Sequence, residues 1–227
     1  MPKQLKYNQA IAKALISNAD GIIEAIDKYL AKADDELSDV LADEGYADAE
    51  DSVEVINAMQ EEIAETLQNQ TDDLVEALAA EQDSGWAAAQ KKVSEMLDGD
   101  DIAEQVQEAA ADMFQTEVPK LATVYMQETD GDLVVDVIRQ RTKSWIASWS
   151  QRLGQLMKIN THQQITDIIQ RTIDQGESIE TLTRKIMDGG WRNEHYQARR
   201  VAVTEVLRAH SVAREEAIQQ SPSTDRK

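Results

Sequence analysis

Apolar residues that recur every three or four positions are the feature that most constrains the fold of this chain. From Ser52 to Ala80 they form a single stripe, made of Val53, Ile56, Met59, Ile63, Leu67, Leu74 and Leu78. This is the spacing of residues on one face of an α-helix. The 227 residues include only nine Gly and three Pro, too few for the corners of a chain built from strands and turns. The sequence therefore predicts an all-α fold.

The residues available for a core are mostly small or aliphatic. The chain has one Phe, five Tyr and four Trp, so Ala, Leu, Ile and Val must supply most of the buried volume. Ala-rich faces suit helices that pack closely in thin bundles. We therefore expect an elongated multi-helix bundle with an acidic N-terminal part and an Arg-containing C-terminal three-helix unit.

Charge divides the chain into two unlike parts. Residues 1–130 hold 8 Lys and 31 acidic residues, a net charge of −23, whereas residues 131–227 hold 15 basic and 12 acidic residues, a net charge of +3. The acidic part repels nucleic acid and anionic membranes, unless its charge only keeps the chain soluble. We predict an acidic helical region over 1–117, a helical core over 118–220 and a flexible tail over 221–227.

Several classes of protein are excluded or disfavoured by composition. Without cysteine the chain has no disulfide and no thiolate metal site. No apolar run is long enough to span a bilayer, and we expect no membrane partner. The first ten residues, MPKQLKYNQA, lack the apolar core of a secretory signal, so we expect the protein to fold in the cytoplasm.

Helix boundaries follow from the breaks in the apolar pattern. Helices are predicted over 11–30, within 34–51 ahead of a linker, over 52–80, 86–97 and 101–116, and from 140 onward. Breaks in this last part are predicted at Ile159-Asn160-Thr161, at Gly176 with Ser178 as the next cap, and at Gly189-Gly190. Between 119 and 140 two helices are favoured over a hairpin that would turn at Asp130-Gly131.

The residues that could carry chemistry do not form a recognisable catalytic or metal-binding pattern. His162, His195 and His210 are the only histidines, and none has the spacing of a helical zinc pair. Calcium-loop spacing fails at Glu128, because the sixth position from it is Leu133 rather than Gly. We therefore expect no enzyme activity, cofactor or metal, and we interpret His210 as a packing residue.

A cluster of cations and tryptophans is a candidate nucleic-acid contact. It comprises Arg139, Arg141, Lys143, Trp145, Trp149 and Arg152. Aromatic side chains among cations can stack on bases and bind phosphates. The competing interpretation, which we favour, is that both Trp rings fill a core otherwise short of aromatic volume.

The last helix carries a stripe of small residues beside a row of polar ones. Its alanines are Ala198, Ala202, Ala209, Ala213 and Ala217. They predict a close helix–helix interface, within the bundle or with a partner. On the neighbouring face Glu205 can reach Arg208 three residues later, the separation at which helical side chains form ion pairs.

Two groups of residues near the end of the chain match a known pattern. The first is Gln175-Gly176-Glu177-Ser178 with Leu182. The second is the run from Arg199 to Glu205, followed by Ala209. They resemble the conserved core of the phage Mu F-like head morphogenesis family, in which Thr204-Glu205 would be the hallmark pair. The resemblance covers about a quarter of the chain. Val203 departs from the Arg usual in the family, and His210-Ser211 replaces an aromatic-Asn pair.

The resemblance implies a function in virus assembly. It implies a minor capsid protein of a tailed phage, present in several copies inside the capsid after assembly in the host cytoplasm. Its partners would be the portal protein, the major capsid protein or both, and packaged DNA through the C-terminal part. The implied partner-binding residues are Gly176, Leu182, Arg199, Arg200, Thr204, Glu205, Arg208 and Ala209. Many relatives continue into a segment with Trp, Asp and His that this sequence lacks, so no activity of that segment is inferred.

Two other classes of function stay open at this point. An acidic helical interaction protein, such as a scaffold or a DNA mimic, would act through its acidic part without binding a portal. An enzyme with a non-obvious helical site would require a deep pocket of polar groups with perturbed pKa values.

Overall fold

The chain is helical along almost its whole described length. The computed structural model describes residues 34–99, 101–128, 133–135 and 137–221, and of 34, 35 and 187–194 it describes only the backbone. These residues form six helices and no strand: α1 (Asp34–Asp43), α2 (Ala49–Ala80), α3 (Trp86–Leu97), α4 (Asp101–Gln127), α5 (Gln140–Asp174) and α6 (Ile179–Gln220). The all-α prediction is confirmed. The helix predicted over 11–30 lies outside the described residues, as does all but the first residue of the tail predicted over 221–227.

The first four helices begin close to where the sequence predicts them. In α2 the whole apolar stripe from Val53 to Leu78 is buried, and α3 has the predicted bounds. The acidic stretch before α2 also forms a short helix and a linker, as expected. Its Leu37 and Leu41 are fully buried, so this helix contributes to the core as well as to the surface charge.

The predicted break at Ile159-Asn160-Thr161 is wrong, because α5 is continuous across it. Asn and Thr are only modestly poor helix formers, and neither breaks the backbone hydrogen-bond ladder. Met157 and Ile165 are buried on either side, so packing at both ends favours one helix.

The predicted break at Gly189-Gly190 is also wrong, because α6 runs through both glycines. Two glycines cost a helix about 2 kcal/mol relative to alanine. Buried Ile186 before them and buried Ala198 after them hold the flanking turns against the bundle. The three helices predicted at the C-terminus are therefore the end of α5 and two parts of α6.

The region between 116 and 140 differs from the prediction in two ways. Helix α4 continues through Pro119 to Gln127. The usual cost of an internal proline, about 3 kcal/mol, is offset by apolar burial on both sides of it. The second predicted helix, whose apolar stripe begins at Val134, starts only at Gln140, since 133–135 and 137–139 are neither helix nor strand. These residues include several β-branched ones, which lose side-chain freedom in a helix, and Val135 and Ile138 are buried there.

The main apolar core lies where α2, α4, α5 and α6 pack together. Its centre is Phe114, fully buried on α4, with Ile56 of α2 and Ile146 of α5. The alanine stripe of α6 packs into the same core, with exposures of 0–4%. The stripe is therefore an interface within the bundle, one of the two alternatives the sequence allowed.

A second, smaller core lies at the other end of the long helices. It joins the end of α2, α3, the end of α5 and the start of α6 through Leu78, Val93, Ile169 and Leu182. Helix α6, at 42 residues, is about 63 Å long at 1.5 Å per residue. The bundle is elongated because α2, α5 and α6 each contribute to both cores.

The boundary proposed between residues 117 and 118 falls inside α4. Buried residues on both sides of it, such as Phe114 and Leu121, belong to the same main core. Acidic α2 and the Arg-containing α6 also pack on each other there.

Candidate functional site

Three buried polar residues on α6 attach this helix to its neighbours. They are Glu205, His210 and Glu216, with exposures of 2%, 0% and 0%. A buried polar group is costly unless it is hydrogen-bonded, so the partners of each one define how α6 is fixed. We therefore treat these three residues of α6 and their partners as the candidate functional site.

Glu205 attaches α6 to α5. Its Oε2 accepts a hydrogen bond from the indole Nε1 of Trp149 at 2.7 Å and another from Nε of Arg208 at 2.9 Å. The Arg208 guanidinium lies 4.2 Å from the centre of the Trp149 ring. Burial raises the pKa of Glu205, and the Arg208 charge and both hydrogen bonds offset only part of that effect. The predicted Glu205–Arg208 pair is confirmed, and Trp149 is a third member that spacing alone did not reveal.

His210 attaches α6 to α2 and α4 at once. Its Nε2 lies 2.8 Å from Oγ of Ser52 on α2, and its Nδ1 lies 2.7 Å from the hydroxyl of Tyr125 on α4. The Tyr46 ring meets the imidazole edge-on at 5.1 Å between centroids. The interpretation of His210 as a packing residue is confirmed, with two hydrogen bonds added to the packing.

The neighbours of His210 fix which ring nitrogen carries the proton. The backbone N–H of Ala47 donates to the Tyr125 hydroxyl at 3.2 Å, so that hydroxyl can donate its own proton to Nδ1. Nε2 then carries the hydrogen and donates to Ser52, whose hydroxyl donates to the Asp48 carbonyl at 2.9 Å. The neutral imidazole thus satisfies every group in this chain of bonds.

A second proton on His210 would have no acceptor in this arrangement. Burial and, next, the positive charge of Arg214 lower the pKa of His210 from 6.5 to about 4. Arg214 also lies over the Tyr46 and Tyr125 rings, at 5.3 and 4.7 Å from their centroids. The cluster is therefore built around an uncharged histidine.

Glu216 attaches the end of α6 to the start of α5. Its Oε1 accepts from the Arg139 backbone N–H at 2.6 Å and from Nε2 of Gln220 at 2.7 Å. Its Oε2 accepts from Nε of Arg139 at 3.2 Å and from the Thr142 hydroxyl. Burial alone would raise the pKa of Glu216, but the hydrogen bonds, led by that of Thr142, outweigh it and lower the pKa. This site therefore holds a carboxylate.

The residues of the family pattern occupy different positions along α6 and its preceding turn. Gly176 has a φ of 66° in the turn between α5 and α6, a conformation that favours glycine at a helix end. Leu182 is buried in the smaller core, and Ala209 is buried in the main core. Arg199 donates to Asn57 and Gln60 of α2 at 3.3 and 3.1 Å.

The middle of the pattern faces partly outward. The Thr204 hydroxyl donates to the carbonyl of Arg200 at 2.7 Å within α6. Both residues are half-buried. The pattern residues therefore fall into anchors, such as Arg199 and Glu205, and a partly exposed row that includes Arg200 and Thr204.

The candidate nucleic-acid residues do not form one surface. Trp145 and Trp149 lie parallel, 6.3 Å apart, and both pack against the main core. Arg139 is engaged by Glu216. The exposed cations that remain are Arg141, Lys143 and Arg152. The interpretation of the two tryptophans as core residues is confirmed.

Ser52 and His210 have the contact distance of a nucleophile and its base. Ser52 is 4% and His210 0% exposed, and a hydroxyl, not a carboxylate, orients the second ring nitrogen. Neither residue lines the cavity beside Pro119 and Lys143 or the cavity beside Thr66 and Gln105. The pair is closed to substrate in this structure, and its geometry accounts for the attachment of α2 to α6.

Sequence reasoning missed Ser52, Tyr125, Thr142 and Glu216. A signal for Glu216 was present, because Glu205 and Glu216 are eleven residues apart, almost three helical turns, and lie beside the alanine stripe. A charged residue at such a position requires buried partners. The identity of those partners, 74 residues away for Thr142, follows only from the fold.

Part of the chain is similar to a protein of Bacillus subtilis. The chain is 34% identical to the uncharacterized protein YqbB of Bacillus subtilis (strain 168) over 128 residues, which are 56% of this chain and 42% of that protein. It thus spans less than half the length of the curated relative that it matches. No protein-family model and no solved structure matches the chain, so the Mu F-like resemblance stays a prediction based on the residues quoted above.

The described part of the chain contains neither a candidate membrane-spanning helix nor a candidate metal-binding group. None of its helices combines the length and apolarity needed to cross a membrane. Across the same ranges, no group of three or more His, Asp or Glu residues is placed to hold a metal ion.

Proposed function

We propose that this chain is a helical minor capsid protein of a tailed phage or prophage that associates with the portal region of the procapsid. It would assemble in the host cytoplasm and lie in the capsid interior, in several copies. An effect on DNA packaging or ejection is part of the proposal. No catalytic step is assigned to it.

One observation carries this proposal. The residues that match the Mu F-like pattern include those that fix α6 in the bundle, with Arg199 bonded to α2 and Glu205 bonded to α5. A sequence pattern that encodes these anchors would preserve the position of α6 and its outward row of Arg200 and Thr204. That row is the part of the pattern that a partner can reach.

Binding to a portal ring tests the proposal directly. The full chain is co-expressed with the portal protein of the genome that encodes it, and the ring is isolated by size exclusion. We expect the chain to elute with the ring, and Arg200→Glu to lower the bound amount by about tenfold through charge mismatch at the interface. Arg184→Glu, an exposed change elsewhere on α6, is the matched control.

Two results would overturn portal association. One is a well-formed ring that elutes without the chain. The other is equal binding of the chain to a portal ring from an unrelated phage, which would indicate nonspecific adhesion.

Contact with DNA would involve the exposed cations Arg141, Lys143 and Arg152. Cutting the chain at 130 would divide the main core, so the test uses the full chain. Binding to a duplex should weaken as salt rises, because phosphate contacts release counterions. The triple change of these cations to Glu should abolish the binding, and unchanged binding would exclude them as the contact.

An acidic interaction protein is the second candidate, and one observation favours it. Glu62 of α2 has a raised pKa, because of its burial first and then of the nearby charges of Asp112, Glu108 and Glu65. Carboxylates from α2 and α4 are thus close enough to form one acidic surface. Binding of a basic partner that Asp112→Lys abolishes, while Arg200→Glu leaves it intact, would favour this candidate over portal association.

A further inference from the structure

An open groove lies where α4 and α5 meet the segment 137–139, which precedes α5. It has a volume of about 520 Å³. Its walls are mostly apolar and are formed by Pro119 of α4, Val137 and Ile138 of the segment, and Ile146 and Ala147 of α5. It is lined by none of the three buried polar residues of α6.

The outer wall of the groove exposes apolar side chains on a fixed backbone. Val137, which lines the groove, is 65% exposed. Val134 does not line it, but lies three residues earlier and is 58% exposed. The carbonyl of Val137 accepts from Gln220 at 3.1 Å, and the N–H of Val135 donates to the Thr123 hydroxyl at 3.1 Å. The exposed valines are therefore held in place by α4 and α6.

The wall formed by α4 also offers a hydrogen-bond acceptor. Pro119 has no backbone N–H, so the carbonyl of Gln115, four residues earlier, lacks its helical donor. Gln115 lines the groove together with Pro119. An N–H or O–H of a bound segment can donate to this carbonyl.

A positive charge lines the groove although the chain carries −20 overall. It belongs to Lys143, which is exposed. Lys120, next to Pro119, is paired with Glu117 at 2.8 Å. Acidic side chains would complement this edge. Nucleic acid would match the charge but would leave the exposed valines uncovered, so a protein segment fits better.

We infer that this groove binds an amphipathic segment of a partner protein, whose apolar side chains cover Val137 and Ala147 and whose acidic side chains lie beside Lys143. The inference depends on the groove alone and does not require the proposed portal association. The partner segment can bind either as a helix or as an extended strand, because each conformation presents apolar side chains on one face.

A peptide selection tests this inference even though the partner is unidentified. A yeast-displayed library of random 16-residue peptides is sorted against the full chain. We expect the selected peptides to be enriched in large apolar residues and in Asp or Glu, and depleted in Lys and Arg. Val137→Asp should weaken their binding by about tenfold or more, because it places a charge against apolar side chains. Lys143→Glu should weaken it by about threefold to tenfold.

Matched changes outside the groove provide the control. Ile159→Asp replaces another exposed apolar residue of α5, and Arg152→Glu reverses another exposed cation. Neither residue lines the groove, so both variants should bind the selected peptides as the parent does. Thermal unfolding of each variant verifies that the fold is retained, and Lys143→Glu still tests the groove if Val137→Asp unfolds.

Other occupants give distinct results, and each would overturn the inference. Selected peptides without acidic enrichment, or peptides that bind Val137→Asp as well as the parent, would show that the groove does not select them. A dimer in light scattering that Val137→Asp dissociates would assign the groove to a second copy. A nitroxide on Ile22→Cys that broadens the Ile146 methyl signal would assign it to residues 1–33 of the same chain. Loss of duplex DNA binding in Val137→Asp would assign it to nucleic acid.

Discussion

Trp149 and Glu205 join α5 to α6 through a hydrogen bond of 2.7 Å from the indole N–H to the carboxylate. Removal of the carboxylate in Glu205→Ala leaves the indole N–H without this acceptor and Arg208 without its partner. We expect the free energy of unfolding to fall by about 1–3 kcal/mol, the usual cost of an unsatisfied buried group. Urea denaturation followed by tryptophan fluorescence measures it.

Glu205→Gln is the informative companion change. Its amide oxygen can still accept from Trp149, and it removes a charge that burial makes costly, as the raised pKa of Glu205 indicates. We therefore expect Gln to be less destabilising than Ala by about 1 kcal/mol or more. Equal losses for the two variants would mean that the charge, rather than the hydrogen bond to Trp149, makes this contact favourable.

Stability should depend on pH through His210. Its folded-state pKa, about 4, lies below the ordinary value of 6.5, so the unfolded chain takes up the proton first as the pH falls. The contribution of neutral His210 to the free energy of unfolding is complete above pH 6.5, and it is lost as the pH falls from 6.5 to about 4. At about 1.4 kcal/mol per pH unit, the loss approaches about 3 kcal/mol.

The measurement is the free energy of unfolding at pH values from 5 to 7 in the parent and in His210→Phe. The variant keeps a ring of similar shape and cannot titrate, so its stability should fall less steeply as the pH falls. Identical slopes in the parent and His210→Phe would contradict an uncharged His210.

The helices could be predicted from the sequence because their apolar stripes are local. Val53 to Leu78 repeat at helical spacing, and Gly176 stands at a helix end. The continuity of α5 and α6 could not be predicted, since Asn160 and Gly189-Gly190 disfavour helix locally while packing on both sides favours it. Tertiary burial decides such cases, and a single sequence does not report it.

In the candidate site, too, contacts between residues close in sequence could be predicted and contacts between distant residues could not. The Glu205–Arg208 pair is three residues apart and follows from helical spacing. The bond between Ser52 and His210 joins residues 158 positions apart, and no periodicity connects them. The positions of Val135 and Val137 likewise depend on bonds that no local pattern encodes: the Val135 N–H donates to the Thr123 hydroxyl, and Gln220 donates to the Val137 carbonyl.

Gly154 should not tolerate even alanine. A Cβ at this position would lie 2.1 Å from the carbonyl oxygen of Ala103, where α5 crosses α4. Alanine is normally better than glycine in a helix by about 1 kcal/mol, but the clash should reverse the sign and destabilise the protein by about 1–3 kcal/mol. Ser148→Ala, an exposed change on α5, should be within about 0.5 kcal/mol of the parent. Thermal denaturation compares the stability of both variants with that of the parent. A stabilised Gly154→Ala would mean that α4 and α5 can move apart at this position without loss of stability.

Glu216→Gln should destabilise the junction between α5 and α6. The carboxylate accepts four hydrogen bonds, two of them from Arg139, and they lower its pKa. The amide of Gln would place a donor against donors, so we expect the free energy of unfolding to fall by about 2–4 kcal/mol at pH 7.

The effect of Glu216→Gln should depend on pH. Because the folded-state pKa of Glu216 is lowered, the stability that its carboxylate contributes is present above the ordinary pKa of a glutamate and is lost as the pH falls toward the folded-state value. The two proteins should therefore converge in stability under acidic conditions, as measured by urea denaturation from pH 3 to 7. Glu215→Gln, an exposed neighbour, should be within about 0.5 kcal/mol of the parent at pH 7. A difference between the parent and Glu216→Gln that did not change with pH would exclude a buried carboxylate as its cause.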